Sequence, residues 1–293
     1  KFYMPESGQI DFEMIFEPLP ADCRTFDFME PKGWMVRNIH HDDYVPEGIA
    51  DTYWRNDATG DWFIAFTPEC VVYDCRFWEI ISQTEDKDTY RFTLSNSGIT
   101  MPVEVGKLRK GKRSVVVDGQ PPVECSIITS TALPDYPHKD TRRGFKDTGY
   151  KEGECVTFTG WLKDMPEQMW KRGKEFEISY ENILSDESEN AYARMDSLGR
   201  FSINMPLLNT TDVFLDWERT TVATVLEPGE TYFFIYDFHT GRQMFMGKNV
   251  RLQNELIAHP MSWDSMDFPE RGKADAQKIW KDADQMRADK MSE

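Results

Sequence analysis

Hydrophobic positions recur along this chain at short range. Asp11-Phe-Glu-Met-Ile-Phe-Glu17, Thr25-Phe-Asp-Phe-Met29 and Trp34-Met-Val-Arg-Asn-Ile39 are apolar runs with polar punctuation. Such β-branched and aromatic runs, cut by Gly, Pro, Asn and Asp, predict strands. Pro31-Lys-Gly33 separates the last two as a turn, because Gly supplies the positive φ that turns need. Residues 41–50 read as a linker. Tyr53-Trp-Arg-Asn56, then Asp57-Ala-Thr-Gly-Asp61, then Trp62-Phe-Ile-Ala-Phe66 predict strand, hairpin loop and strand. More strands are expected near 70–82, 88–95, 99–106 and 114–117. Lys107-Leu-Arg-Lys-Gly-Lys-Arg113 between the last two reads as a solvated basic hairpin tip that discourages edge pairing.

Residues 130–153 are rich in Pro, Gly and charge and mark a domain boundary, exposed and irregular. A further unit begins at Cys155-Val-Thr-Phe-Thr-Gly-Trp161. Met165-Pro-Glu-Gln-Met-Trp170 suits one helical turn, and Glu175-Phe-Glu-Ile-Ser-Tyr180 alternates as a half-buried strand does. Tyr192–Asp196 and Arg200–Met205 flank Ser197-Leu-Gly199 as a hairpin. Strands over 213–217, 220–226 and 231–236 follow, with Glu227-Pro-Gly-Glu230 a turn carrying Pro at i+1 and Gly at i+2. After 248 the period lengthens. Val250, Asn254, Leu256 and Ile257 suit a helix over 248–259 ended by Pro260. Ala276, Ile279, Ala283 and Met286 form one stripe of a second helix over 272–291.

The pattern thus predicts a mainly β protein. Two or three antiparallel sandwich-like or barrel-like units precede a short helical segment, because strands spaced ~8–12 residues apart favour those architectures. The expected divisions are a partial, Ig-like β unit at 1–45, a Trp-rich antiparallel β domain at 46–150, a β-sandwich at 151–247 and a helical segment at 248–293.

Composition narrows the function. The chain has 293 residues, 51 acidic against 34 basic, for a formal charge of −17. Such a surface repels phosphate backbones, so nucleic acid is not an expected partner. No uncharged apolar run approaches the ~18 residues of a membrane span, so no transmembrane span is expected. No Gly-rich phosphate loop, G-x-S-x-G elbow or H-E-x-x-H motif occurs, so no catalytic residue, cofactor or metal is assigned. His40-His41-Asp42-Asp43 offers nitrogen and oxygen donors, but without a scaffold to hold four of them.

Five cysteines occur, at 23, 70, 75, 125 and 155. Cys70 and Cys75 are spaced C-x4-C, not C-x-x-C. On an extended strand their side chains face opposite ways and their Cα atoms lie ~16 Å apart, too far for a disulfide. Val71-Val72 favour that extended chain over a tight turn, so both read as structural thiols. The aromatics suggest one binding surface. Trp54, Trp62 and Trp78 lie in one β unit and form a candidate ligand platform for a glycan, weighed against ordinary burial in the core.

Several stretches bear a family likeness. They are Thr52-Tyr-Trp-Arg-Asn-Asp-Ala-Thr-Gly-Asp-Trp-Phe-Ile-Ala-Phe66, Leu133-Pro-Asp-Tyr-Pro-His-Lys-Asp-Thr-Arg142, Asp196-Ser-Leu-Gly-Arg-Phe-Ser202, Leu226-Glu-Pro-Gly-Glu-Thr231 and Met246-Gly-Lys-Asn-Val-Arg-Leu-Gln-Asn254. In order and spacing they resemble the long N-terminal regions of TlpA-like thiol–disulfide oxidoreductases of Gram-negative gut bacteria. The last three resemble the β-sandwich domain of unknown function that precedes the redoxin domain there, and the likeness covers most of residues 10–260. It implies a redox protein of the cell envelope, periplasmic or lipid-anchored as a lipoprotein, with sorting residues cleaved before Lys1. The family's C-x-x-C lies in a C-terminal thioredoxin-like domain, which these residues do not contain. The resemblance therefore implies a non-catalytic accessory or recognition region, partnered by that domain. The alternative is a stand-alone envelope module that binds a glycan, a peptide or another envelope protein.

Overall fold

Short strands joined by tight turns pair first with their sequence neighbours, and the chain from Thr52 to Ile127 does this throughout. In a computed structural model describing residues 18–20, 23, 26–29, 35–39, 48–129, 136, 153–171, 173–182, 187–217 and 220–258, β1 (Phe26–Met29) and β2 (Met35–Ile39) form a two-stranded ribbon. Eight strands then follow: β3 (Thr52–Asn56), β4 (Trp62–Phe66), β5 (Val71–Tyr73), β6 (Arg76–Asp86), β7 (Thr89–Asn96), β8 (Ile99–Val105), β9 (Lys112–Val117) and β10 (Val123–Ile127). Each pairs antiparallel with the next, and β10 pairs back onto β3, closing an up-and-down barrel.

The turns explain the meander. Asp74-Cys75, Lys87-Asp88 and Ser97-Gly98 are two-residue connections with positive φ at both positions. That handedness matches the twist of the flanking strands. The barrel interior is filled by Trp54, Ile64, Phe66, Val71, Trp78, Phe92, Leu94, Val103, Val105, Val115 and Val117, as an eight-stranded barrel permits. The exposed residues between them include Arg91, Glu104 and Lys112. Apolar inside with charges outside is the reverse of a membrane-spanning barrel.

The basic hairpin departs from expectation at its last residue. Arg113 is 1% exposed rather than solvated. Its guanidinium donates to Asp88 O (2.9 Å), Gly106 O (2.8 Å) and Gly48 O (3.4 Å) and pairs with Asp88 Oδ1 at 2.6 Å. It also lies over the rings of Trp54 and Tyr90, a cation held on aromatic faces. Arg113 therefore plugs one end of the barrel.

The remaining strands build a sandwich. They are β11 (Cys155–Lys163), β12 (Glu175–Asn182), β13 (Glu187–Arg194), β14 (Arg200–Pro206), β15 (Thr211–Trp217), β16 (Thr220–Leu226), β17 (Thr231–Asp237) and β18 (Arg242–Gly247), with a helical turn α1 (Glu167–Trp170) after β11. One sheet runs β14-β11-β17-β18 and the other β13-β12-β15-β16. Pairing is antiparallel except between β11 and β17, which run parallel. The hairpin expected around 197–199 does not form: β13 and β14 belong to different sheets, and the turn is a corner between them. Asp196 Oδ1 accepts the backbone N–H groups of Leu198 and Arg200 there, a local bond that competes with ladder pairing. Gly199, at φ +83°, lets that corner close on the Leu162 carbonyl. Gly160 on β11 is needed for a different reason: a Cβ there would stand 2.8 Å from Phe234 O and inside the Phe201 ring. Phe158, Phe176, Ile178, Leu215, Tyr232, Phe234 and Phe245 fill the space between the sheets.

Helix α2 (Arg251–Ala258) follows β18. Its buried residues are polar. Asn254 accepts from Phe245 N and donates to Phe245 O, and Gln253 donates to Val225 O. The helix so satisfies backbone groups of the strands on which it rests. Most of the 1–45 unit, the boundary stretch 130–153 apart from Tyr136 and Gly153, His40-His41, and the helix expected over 272–291 lie outside the described residues.

Candidate functional site

Trp54, Trp62 and Trp78 are 1%, 2% and 4% exposed, which corrects the expectation of a ligand platform. Trp54 and Trp78 point into the barrel core. Trp62 points outward, but its strand is covered by the sandwich, so its ring meets Phe233 edge-on at 5.6 Å. The three rings face two different environments and share no open surface.

Cys70, Cys75 and Cys125 are sequestered, whereas Cys155 is exposed. Cys70, Cys75, Cys125 and Cys155 are free thiols. Cys70 and Cys75 do not face opposite ways: both enter one apolar cluster between barrel and sandwich. The tight turn that Val71-Val72 argued against lies one step further on, at Asp74-Cys75, with φ of 50° and 57°. Cys75 therefore sits in the turn rather than on the strand, and strand alternation does not apply to it. Its thiol donates to Met246 O at 3.2 Å, and its N–H meets Met246 Sδ at 3.4 Å. Burial, helped by the Asp74 charge, pushes the Cys75 thiol up to about 12. Burial pushes Cys125 up to about 12 as well, with Asp57 and Glu124 adding to it, and raises Cys70. A nucleophilic or exchanging thiol needs the opposite setting.

The cluster that takes up these thiols is the seam of the molecule. Tyr53, Trp62, Ala65, Val72 and Ile128 of the barrel region pack on Trp161, Phe233, Ile235, Met244 and Met246 of the sandwich. Strands β3, β4 and β5 are therefore buried on both faces. At one side of the seam lies an ionic cluster. Lys163 Nζ stands 2.9 Å from Asp164 Oδ2, 3.3 Å from Asp237 Oδ2 and 3.5 Å from Asp51 Oδ1. Burial opposes the Lys163 charge, but the Tyr53 oxygen, Asp237 and Asp51 outweigh it and raise its pKa. Asp237 Oδ1 accepts from the N–H groups of His239 and Thr240. Arg242 lies 4.2 Å from the Tyr53 ring centre and donates to Ile128 O. Burial raises the pKa of the Tyr53 hydroxyl, which has no hydrogen-bond partner among the described residues.

A cleft of about 420 Å³ also opens between the two units, within the range of small-molecule sites. Its barrel wall is built by two irregularities. Phe63 is the extra residue of a bulge, since Trp54 pairs with Ile64 and Arg55 with Trp62; bulges re-aim side chains at such rims. The second is the Asp74-Cys75 turn. Phe63 and Tyr73 are half-buried and meet edge to face at 5.4 Å. Asn56, Asp61, Asp74 and Arg76 add polar groups, and Trp62 lines the inner wall. Glu230 and Thr231 at the start of β17, and Gly247 and Lys248 after β18, form the sandwich wall. Tyr136 anchors beside this region, accepting from Asn254 Nδ2 with the Arg251 guanidinium over its ring.

Sequence reading missed this cleft. Asp61 and Glu230 stood out only as parts of turns, and nothing local says that the two turns share a wall. Among the described residues no group of three His, Cys, Asp or Glu could hold a metal, and no helix is long and apolar enough to cross a membrane. Comparisons with protein-family models, with curated proteins and with solved structures found no match to this chain.

Proposed function

We propose that this chain is the non-catalytic accessory and recognition region of an envelope thiol–disulfide oxidoreductase of the TlpA type. A thioredoxin-like domain elsewhere in the parent protein would carry the C-x-x-C chemistry, and the setting would be the periplasm or an outer-envelope lipid anchor. The ordered series of motifs from Thr52 to Asn254 supports the family assignment. The observation that carries the non-catalytic role is the sequestration of Cys70, Cys75 and Cys125. Thiols held as buried donors serve packing, and exchange is left to another domain.

The test is insulin reduction with dithiothreitol as the electron source. This chain alone is expected to give no acceleration over the uncatalysed rate, and a longer product of the same reading frame is expected to give one. Turnover by this chain alone, or a longer product with no C-x-x-C, would overturn the proposal. The seam cleft favours one further reading, a stand-alone envelope module that binds a glycan or peptide. Both readings share a recognition role and differ in what is attached.

A further inference from the structure

We infer that the cleft between barrel and sandwich is a binding site for a neutral saccharide. The inference rests on the recognition half of the proposed function and is independent of its redox half.

The chemistry of the walls carries it. Asp74, Arg76, Glu230 and Lys248 all line the cleft, and none of their side chains makes a hydrogen bond or ion pair with a described residue. Carboxylates and cations thus stand together without neutralising one another. A phosphorylated or polyanionic ligand would meet Asp74 and Glu230, and a polyamine would meet Arg76 and Lys248, each with like charge. A neutral polyol meets neither penalty. Its hydroxyls donate to the carboxylates and accept from the guanidinium and ammonium, and hydrogen bonds to charged groups are the stronger kind. Asn56 adds an amide whose Oδ1 is already held by Ala58 N–H, leaving the NH₂ to donate outward.

The second component is aromatic. Half-buried Phe63 and Tyr73 bring ring surface into a wall that also carries these polar groups. A pyranose has both characters, an apolar C–H face and a polar rim, and an aromatic face with its negative quadrupole suits the former. Trp62 adds a specific donor. Its buried indole N–H has no acceptor among the described residues, a deficit that an incoming hydroxyl would meet. Nor does the cleft depend on rearranging the fold, because both walls are tied to the seam: Cys75 is bonded to Met246, and Gly247 packs against Thr231 and Val250.

The experiment titrates the ¹⁵N-labelled full chain with glucose, galactose, mannose, cellobiose, maltose and N,N′-diacetylchitobiose. The Trp62 indole N–H resonance, assigned with Trp62→Phe, is the local reporter, and calorimetry gives the affinity. At least one sugar is expected to shift that resonance with saturation. Asp74→Asn and Glu230→Gln are each expected to weaken that sugar about tenfold, the loss of one charged hydrogen bond. Asp74 is exposed and Glu230 half-buried, so folding is checked by an unchanged amide spectrum elsewhere. Asp216→Asn, on the far sheet, is expected to leave affinity unchanged. No sugar binding overturns the inference, as does binding that leaves Trp62 and both cleft variants unaffected. Glycine and the dipeptide Ala-Ala are titrated in parallel. Saturation by these zwitterions without sugar binding overturns the saccharide assignment while leaving a recognition role standing, and the insulin assay is unaffected by any of these results.

Discussion

Replacing Lys163 by Met should separate buried charge from surface charge. The Lys163 side chain is 9% exposed and that of Asp237 1%, whereas Asp51 and Asp164 are 51% and 53% exposed. The exposed carboxylates rehydrate when the ammonium is removed and contribute little. Asp237 cannot, and removing one partner of a buried pair costs about 3–5 kcal/mol. Asp237 keeps two backbone donors, from His239 and Thr240, so the lower end applies, about 3 kcal/mol. For 293 residues, at an unfolding entropy of about 2.1 cal/mol/K per residue, that lowers the thermal midpoint by roughly 5 °C. Asp237→Asn in the Lys163→Met background should recover about 2 kcal/mol, since the amide oxygen still accepts and no charge is stranded.

The assay is urea unfolding followed by both tryptophan emission and far-ultraviolet circular dichroism. The pH dependence follows from the raised pKa of Lys163. A group whose folded value lies above its unfolded one stabilises fully below the unfolded value, about 10.4 for lysine. That contribution disappears only as pH rises through the folded value. The gap between wild type and Lys163→Met should therefore stay flat from about pH 6 to pH 9. A loss below about 1 kcal/mol, or no recovery in the double variant, would refute the claim that Asp237 is a buried charge neutralised by Lys163.

Three other outcomes follow from the packing. Arg113→Met should destabilise by about 3 kcal/mol and Arg113→Lys by less, because Lys keeps the charge but loses the fork that reaches three carbonyls; wild-type stability of Arg113→Lys in chemical denaturation would contradict the fork geometry. Burial works against the Asp88 carboxylate, but Arg113 and the Leu108 N–H hold its pKa below the usual range. Its contribution is therefore present above the unfolded value, about 3.9, and lost as pH falls through the lower folded one, so Asp88→Asn should narrow the stability gap to wild type in acid; a gap that widens in acid would contradict the sign. Gly160→Ala should cost about 1–3 kcal/mol by overpacking, and Phe201→Leu in the same chain should recover part of it; an unperturbed Gly160→Ala melting curve would contradict the tight contact.

Much of the fold was legible because its signals are local. Glu227-Pro-Gly-Glu230 turns as its residues require, with Gly229 at φ +79°, and the strand from Glu175 to Tyr180 alternates in burial as it does in sequence. Closure of the barrel was not legible. It depends on β10 meeting β3 across the length of the unit, and no residue pair advertises a pairing so distant. The tryptophans misled for a related reason. A strand with one face in a barrel and the other under a sandwich is apolar on both, so Trp62 beside Ile64 does not say which lies outward. Asp74-Cys75 turns without Gly or Asn, the residues that usually announce such a turn. The cleft was the least legible feature, since its two walls are far apart in sequence.

The order of strand pairing also bears on how the chain is made. Every ladder of the barrel closes within residues 52–127, so that unit can form while later residues are still being added. Its covering strand β17 pairs in parallel with β11 across a long separation, Lys163 meeting Asp237, and that ladder waits for the loop between them to close. Until then the nascent barrel displays Tyr53, Trp62, Val72 and Cys75 to solvent, the residues that later form the seam. During synthesis at about 5–20 residues per second, this leaves an interval of several seconds with an adhesive apolar face on an otherwise finished domain. A chain released before Met246 would keep that face permanently, so its hazard is self-association rather than failure to fold.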